Sequence, residues 1–446
     1  MTAAWMAELA RTLGAPRVPH LSGRIESVVG SALRASLPGA AIGDLCDVRA
    51  PDGGPCGRAE VVAIDGRGAT LLPYGALAGL TRGHEVVRMA GCGRVDVGDH
   101  LLGGVVDGTG TLLSALTPRA APDTAHAQGA LMRPAPDPLT RRPVARALGS
   151  GVRAIDGLLT LGEGQRVGIF AAAGMGKTSL LGMLLRGAAT DVCVIGLIGE
   201  RGREVGEFLE FELSAGARAR TTVVVATAER PAVERRRAAY VATAIAEYHR
   251  AQGRSVLLIM DSLTRFARAA REIGLAAGEP PTRRGYPPSV FSALPQLLER
   301  AGNDGRGSIT AIYTVLVEGD DMNEPVADEA RSLLDGHIVL SAKLANAGRY
   351  PAIDVLQSVS RVMHRIVAPA HRADAARLRA LLAKYQDIEL LVSVGEYQRG
   401  HDALGDEALD RIGALRAYLA QPLDTLTDFA QAQQDLAALW QCPPPS

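Results

Sequence analysis

Between Ser22 and about Val95, apolar and polar residues alternate in short runs, as in GRIESVVGSALRASLPG and DGRGATLLPYG, and Gly, Pro and Asp punctuate them. A period of two broken at short intervals by turn formers predicts short strands closing into a small β-barrel, assigned to 19–95. From about Gly151 to Pro369 the rhythm changes. RVGIFAA, DVCVIGLIGE, TTVVVAT, SVLLIMD and SITAIYTVLV are continuous apolar runs of strand length, with amphipathic helical stretches between them. Strands apolar on both faces belong to a largely parallel sheet covered by helices, so an α/β domain is expected over 96–369. Within it, 117–150 is rich in Pro, Ala and Arg, lacks periodicity and reads as a connector. From about His371 to Trp440 the spacing is helical and Leu-rich, which predicts a C-terminal helical domain over 370–446. Residues 1–18 are expected to form a separate short helix, with Trp5, Leu9 and Leu13 on one face. Such a stripe either docks a partner or folds back on the barrel. No internal repeat is present.

Composition narrows the function classes. A chain of 446 residues is long for one core, in keeping with two or three domains. Lys+Arg 48 balances Asp+Glu 48, so no global attraction to nucleic acid or acidic lipid follows. Aromatic residues make up 4%, and Tyr74 is the only one in 20–95, which argues against a base-stacking single-strand binder. The run Arg235-Arg236-Arg237 is expected to be a solvated helix face. Cys46, Cys56, Cys92, Cys193 and Cys442 form no CxxC pair, and isolated reduced thiols fit the cytosol. No stretch approaches the roughly 20 apolar residues of a membrane span.

Candidate chemistry sits at three strand ends. Ala171-Ala172-Ala173-Gly174-Met175-Gly176-Lys177-Thr178 follows an apolar strand and precedes the helical run Ser179-Leu180-Leu181. That is the setting of a phosphate-binding P-loop, with Ala171 standing where the strict pattern has Gly. Backbone N–H groups of Ala173 to Ser179 would face phosphate oxygens at a helix N-terminus. Lys177, one of three lysines in an Arg-rich chain, would reach the β- and γ-phosphates of ATP, and the Thr178 hydroxyl would bind Mg²⁺. SVLLIMD ends at Asp261, a carboxylate suited to the Mg²⁺ water shell. Glu200, in IGERGREV, is placed to orient an attacking water. A surface acid paired with Arg201 or Arg203 has the same spacing, so the residues alone leave both readings open.

These elements, with MDSLTRFARA and YPAIDVLQSVSRVM, resemble the rotary and export ATPase superfamily that includes the catalytic subunit of ATP synthase. GYPPSVFSALPQLLERAG, TVLVEGDDMNEPVADEARSLLDGHIVLS and ELLVSVGEYQRG are most similar to its type III secretion ATPases, with flagellar export ATPases the nearest alternative. The resemblance covers roughly 20–445. It implies a RecA-like nucleotide domain between a small β-barrel and a helical domain. It also implies Mg²⁺-dependent ATP hydrolysis in a homohexamer that releases chaperones and unfolds cargo for export. Glu200 would be the water-activating carboxylate, Asp261 the Mg²⁺ organiser and Glu204 an outer helper. Arg201 and Arg265 would lie near the γ-phosphate, Tyr350 would pack on adenine, and Arg361 would reach the neighbouring subunit's ATP. Gln421-Pro422-Leu423 would close the adenine pocket. Implied partners are a stator protein, a coiled-coil stalk, the export gate and chaperone–effector complexes. The implied place is cytoplasmic, peripheral to the inner membrane. Glu at position 200, where non-catalytic ring subunits carry Gln, implies an active enzyme. The loop Gly285-Tyr286-Pro287-Pro288, stiffened by two prolines, is expected either to hold Tyr286 out into a ring channel or to be a simple turn.

Overall fold

Short strands with alternating stretches build the first unit. Strands β1 (Ser22–Val29), β2 (Ala32–Ser36), β3 (Leu45–Arg49), β4 (Pro55–Asp65), β5 (Gly68–Pro73) and β6 (Glu85–Arg88) close into a barrel in the order β1-β2-β5-β4-β3-β6. The inward set includes Ile25, Leu33, Ala35, Val48, Val61, Leu71 and Val86. Register shifts between Ile25 and Ser27 and between Val61 and Ala63 bend the strands enough to close the ring. The structure, a computed structural model, describes residues 22–75, 78–89, 93–117, 126–317 and 321–441. The expected helix at 1–18, with Trp5, Leu9 and Leu13, lies outside the described residues. Contacts divide the chain into two units, one holding the barrel and the other the large sheet and the helical region.

The second unit is organised by one ten-stranded sheet. Its strands are β7 (Gly104–Asp107), β8 (Leu112–Ala115), β9 (Arg166–Ala171), β10 (Val192–Ile198), β11 (Thr221–Ala226), β12 (Ser255–Asp261), β13 (Ser308–Leu316), β14 (Gly336–Leu340) and β15 (Ile353–Ser360), with Gly302–Asn303 added beside β13. The order is β15-β14-β9-β13-β12-β10-β11-β7-β8. Pairing is parallel from β14 to β7 and antiparallel where β15 and β8 flank it. Every residue of β10 is buried, as a continuous apolar run requires. Helices cover both faces: α1 (Arg153–Leu158), α2 (Lys177–Gly187), α3 (Gly202–Glu207), α4 (Ala232–Ala251), α5 (Leu263–Ala276), α6 (Pro288–Leu298) and α7 (Pro325–Leu333). Three more, α8 (Pro369–Ser393), α9 (Ala403–Leu419) and α10 (Phe429–Ala438), form the helical region. Its Leu378, Leu381, Leu415 and Leu436 join the same core as Ile155 and Leu158.

The structure therefore has the RecA-like α/β sheet, barrel and helical region expected from the sequence. Two local expectations are corrected. Tyr286 does not stand out from its loop. It is 4% exposed, packs with Ala267, Ala270, Val290 and Val326, and meets Phe291 edge-on with ring centroids 6.2 Å apart. The Arg271 guanidinium lies 5.3 Å from its ring centroid. Pro288 starts α6, and burying a large ring outweighs holding it in water. The triple-arginine run is likewise not wholly solvated, because Arg237 is buried on the inward side of α4. Among the described residues no helix is long and apolar enough to cross a membrane. Cys46 and Cys193 are buried free thiols, and Cys56 is an exposed one.

Candidate active site

The carboxyl ends of β9, β10 and β12 converge, and they bring three of the predicted chemical elements together. Residues 172–176 link β9 to α2 with Gly174 at φ 82 and Gly176 at φ 80, left-handed values that a side chain resists. Among the described residues nothing stands within 4 Å of where a Cβ on Gly174 would be, so the loop presents bare backbone to an open face. Ala173 and Thr178 are exposed on that face and Ser179 is half-buried, while Met175 turns inward and is buried. Lys177 opens α2 and carries its side chain across the sheet top.

The Lys177 ammonium donates to Asp261 Oδ1 and lies 3.6 Å from Glu200 Oε1. Asp261 closes β12, two strands away from β9, and the strand between them supplies Thr314. Its hydroxyl donates to the same Asp261 oxygen at 2.6 Å. Glu200 follows β10 and is 8% exposed. The backbone N–H of Ala228 donates to the Glu200 carbonyl at 2.9 Å, and the Gly199 N–H donates to the Ala226 carbonyl at 2.6 Å, so the turn is tied to β11. Arg265, on α5, places Nε 3.7 Å from Glu200 Oε1. It gets there by crossing Gly199, where a Cβ would sit 2.9 Å from Arg265 Cδ.

Electrostatics follow from this crowding. Burial pushes the Glu200 carboxyl up to about 7; nearby Lys177 opposes that rise, and Asp261 and a hydrogen bond with Glu204 add to it. Lys177 is disfavoured as a cation by burial, yet Asp261 and Glu200 hold its pKa above the ordinary value. Glu200 Oε1 is buried without a hydrogen-bond partner among the described residues. A buried acceptor of that kind beside a lysine is suited to take a proton or a water from a bound group.

The remaining predicted residues are distributed as follows. Tyr350 is 40% exposed and lays its ring over the P-loop, since a Cβ on Gly176 would be 3.3 Å from Tyr350 Cε1. The Tyr350 carbonyl accepts from the Gln421 N–H at 2.9 Å. Gln421 is buried, and its amide donates to the carbonyls of Gly151 and Thr425 at 2.8 and 2.7 Å, which clamps the segment before Leu423. Arg201 points to solvent and pairs with Glu204 at 3.5 Å, so it does not join the cluster. Arg361 is exposed after β15; its guanidinium donates to the Arg331 carbonyl at 3.1 Å and shares no hydrogen bond or ion pair with Lys177, Glu200 or Asp261. A cavity of ≈ 160 Å³ opens between residues 341–356 and helices α8 and α9; Tyr350 is the one predicted site residue in its lining. The convergence of Lys177, Glu200 and Asp261 therefore lies at the strand ends and not in that cavity. Sequence reasoning missed Thr314 and Gly199. A hydroxyl near the end of an apolar strand and a glycine directly before the acid were their signals.

Comparison with known proteins follows the same division of the chain. Residues 151–360 match the model of the ATP synthase alpha/beta family, nucleotide-binding domain, and residues 367–438 match the T3SS EscN ATPase C-terminal domain. A type 3 secretion system ATPase of Xanthomonas euvesicatoria is 51% identical over 439 residues, covering 97% of each chain. A flagellum-specific ATP synthase of Pseudomonas aeruginosa is 47% identical over 428 residues, covering 95% of this chain and 94% of its own. Among solved structures, the assembled ATPase EscN of the enteropathogenic E. coli type III secretion system superposes with a TM-score of 0.88 at 46% identity, covering 94% of this chain and 99% of EscN. EscN in complex with its central stalk EscO gives 0.85 at 45% identity, with the same coverage.

Proposed function

Because the chain belongs to the ATP synthase alpha/beta family, among its type III secretion ATPases, we propose that the Lys177–Asp261–Glu200 cluster is the centre at which it hydrolyses ATP. The observation that carries this assignment is the Lys177 ammonium at the head of the P-loop, held by the two acids expected for metal and water. The donors fit Mg²⁺: an exposed Thr178 hydroxyl and the Asp261 carboxylate are hard oxygen ligands, with Glu204 within reach of Glu200 as an outer helper. Mg²⁺, when bound, neutralises charge between the β- and γ-phosphates. Lys177 then turns from the acids to phosphate oxygens, and the backbone N–H groups of Ala173 to Thr178 hold the rest. Glu200, released from the lysine, orients a water toward the γ-phosphorus, and Arg265 keeps the carboxylate in place. Tyr350 packs on adenine. Arg201 reaches the γ-phosphate only by leaving Glu204, so its role rests on the family resemblance.

The working form is a homohexameric ring. Arg361 is exposed and stands apart from its own chain's cluster, as a residue that serves a neighbour's ATP must. In this reading the ring docks chaperone–effector complexes, releases the chaperone and unfolds the cargo. It is held at the inner membrane by a stator protein, turns on a coiled-coil stalk and feeds the export gate; nucleic acid has no part. The EscN–EscO complex supports the stalk. The C-terminal match and the higher identity to the secretion relative favour secretion over flagellar export.

Two variants test the site. Lys177→Ala removes the compact charge on the phosphates, so ATP binding weakens and turnover stops. Glu200→Gln keeps shape and hydrogen bonding, so ATP binds and is not hydrolysed. Equilibrium binding of fluorescent ATP beside phosphate release measures both. Normal turnover in Glu200→Gln would remove Glu200 from the mechanism.

A further inference from the structure

Away from the nucleotide site, three metal-ligating side chains meet where the strand Arg94–Val97 pairs with the strand Ala127–Ala130. Asp96 lies on the first strand, His100 in the short turn that follows it, and His126 immediately before the second strand. His126 Nδ1 is 2.9 Å from Asp96 Oδ2, and His100 Nε2 is 3.1 Å from that same oxygen. The two imidazole rings lie 4.1 Å apart, centroid to centroid, inclined at 38°. One ligand atom from each of the three residues falls within 4.8 Å of the others.

We propose that Asp96, His100 and His126 form a divalent transition-metal site of the zinc class. Donors about 2.0–2.1 Å from a tetrahedral zinc ion stand roughly 3.3 Å from one another. The two distances to Asp96, 2.9 and 3.1 Å, need to open by only a few tenths of an ångström to admit it. Two imidazoles and one carboxylate are the donor set that Zn²⁺ prefers over Mg²⁺ or Ca²⁺, and a water completes the tetrahedron. Hydrogen bonding alone accounts for the trio less well. Both ring nitrogens are aimed at one oxygen, while Asp96 Oδ1 is buried and accepts no hydrogen bond among the described residues. The site ties residue 96 to residue 126 across the pairing of the two strands. Its occupancy changes how firmly the two strands are held and leaves the P-loop donors untouched.

The test uses tag-free, full-length protein stripped of metal, without nucleotide. A Cys56→Ser background removes the exposed thiol as a competing ligand. Zn²⁺ is titrated by calorimetry, and Co²⁺ is followed by its visible ligand-field absorption. The expected result is one Zn²⁺ per chain, tetrahedral Co²⁺ bands, and affinity lowered more than about tenfold by either His100→Ala or His126→Ala. His126 is exposed, so its variant keeps the fold. Zn²⁺ should also raise the thermal midpoint of the parent and leave His126→Ala unmoved. Equal Zn²⁺ affinity in the parent and in His126→Ala, or no uptake by the parent at micromolar free Zn²⁺, would overturn the proposal.

Discussion

Gly199→Ala tests whether the packing beneath Glu200 sets the reaction geometry. Position 199 has φ 71, where an L side chain costs about 1–2 kcal/mol. The added methyl would also stand 2.9 Å from Arg265 Cδ and 3.1 Å from Arg265 Cβ. The second contact is close to the α5 backbone, so a rotamer change does not relieve it, and either Arg265 or the Glu200 turn must move. A displacement approaching 1 Å at a reacting group lowers turnover on the order of a hundredfold. The P-loop itself is untouched, so ATP affinity should change less than about threefold while turnover falls about ten- to a hundredfold. Steady-state phosphate release and fluorescent-ATP binding read the two quantities. Gly202→Ala is the control, because nothing lies within 4 Å of its Cβ position and its backbone is not left-handed. Gly199→Ala turning over as fast as Gly202→Ala would refute the argument that Arg265 holds Glu200 in place.

Two further outcomes follow from the same structure. Replacing Tyr350 by Ala should raise the KM for ATP about tenfold, given roughly 1–3 kcal/mol for stacking a base on an aromatic ring, while Tyr350→Phe stays near wild type. An unchanged KM in Tyr350→Ala would place adenine elsewhere. Fully buried His249, on α4, accepts from Arg254 at 2.9 Å, and burial pushes its pKa down to about 4, with Arg254 adding to the shift and Asp99 opposing it. The unfolded chain therefore takes up that proton more readily, so the contribution is fully present above about pH 6.5 and is lost as pH falls toward 4. Between pH 6.5 and 5 the loss is about 1.5 kcal/mol. His249→Asn keeps an acceptor for Arg254 and should flatten that part of the stability–pH curve, measured by denaturant unfolding. Parallel curves for the two proteins would show that His249 titrates alike in the folded and unfolded chains, which would contradict this reasoning.

Much of this arrangement is legible in the residues because the strongest signals are local. Five apolar runs mark β9 to β13, and the glycine pattern before Lys177 marks the loop. Strands β7, β14 and β15 are less visible. β7 has four residues, β14 carries His337 within its five, and β15 is an edge strand with mixed burial. Long-range packing is not written in any short window, which is why Tyr286 looked exposed beside its prolines and is buried in fact. The Arg265 crossing over Gly199 and the Thr314 hydrogen bond join segments more than 50 residues apart, so neither could be read from spacing. Arg201 illustrates the reverse case: its motif position is clear, yet its side chain lies in water with Glu204.

The central claim is that the active site is completed by a neighbour through Arg361. Arg361→Ala should bind ATP and hydrolyse hardly any, since an arginine supplied in trans is worth roughly 10³–10⁵ in rate. Lys177→Ala fails for a different reason, because it lacks its own phosphate cradle and still carries Arg361. Mixing the two inactive proteins creates interfaces with an intact P-loop on one side and an intact arginine on the other. The decisive measurement is ATPase activity of that mixture, with native mass spectrometry confirming mixed rings. The account predicts partial recovery of activity. A mixture that contains mixed rings and stays inactive would contradict it and place the action of Arg361 within its own chain.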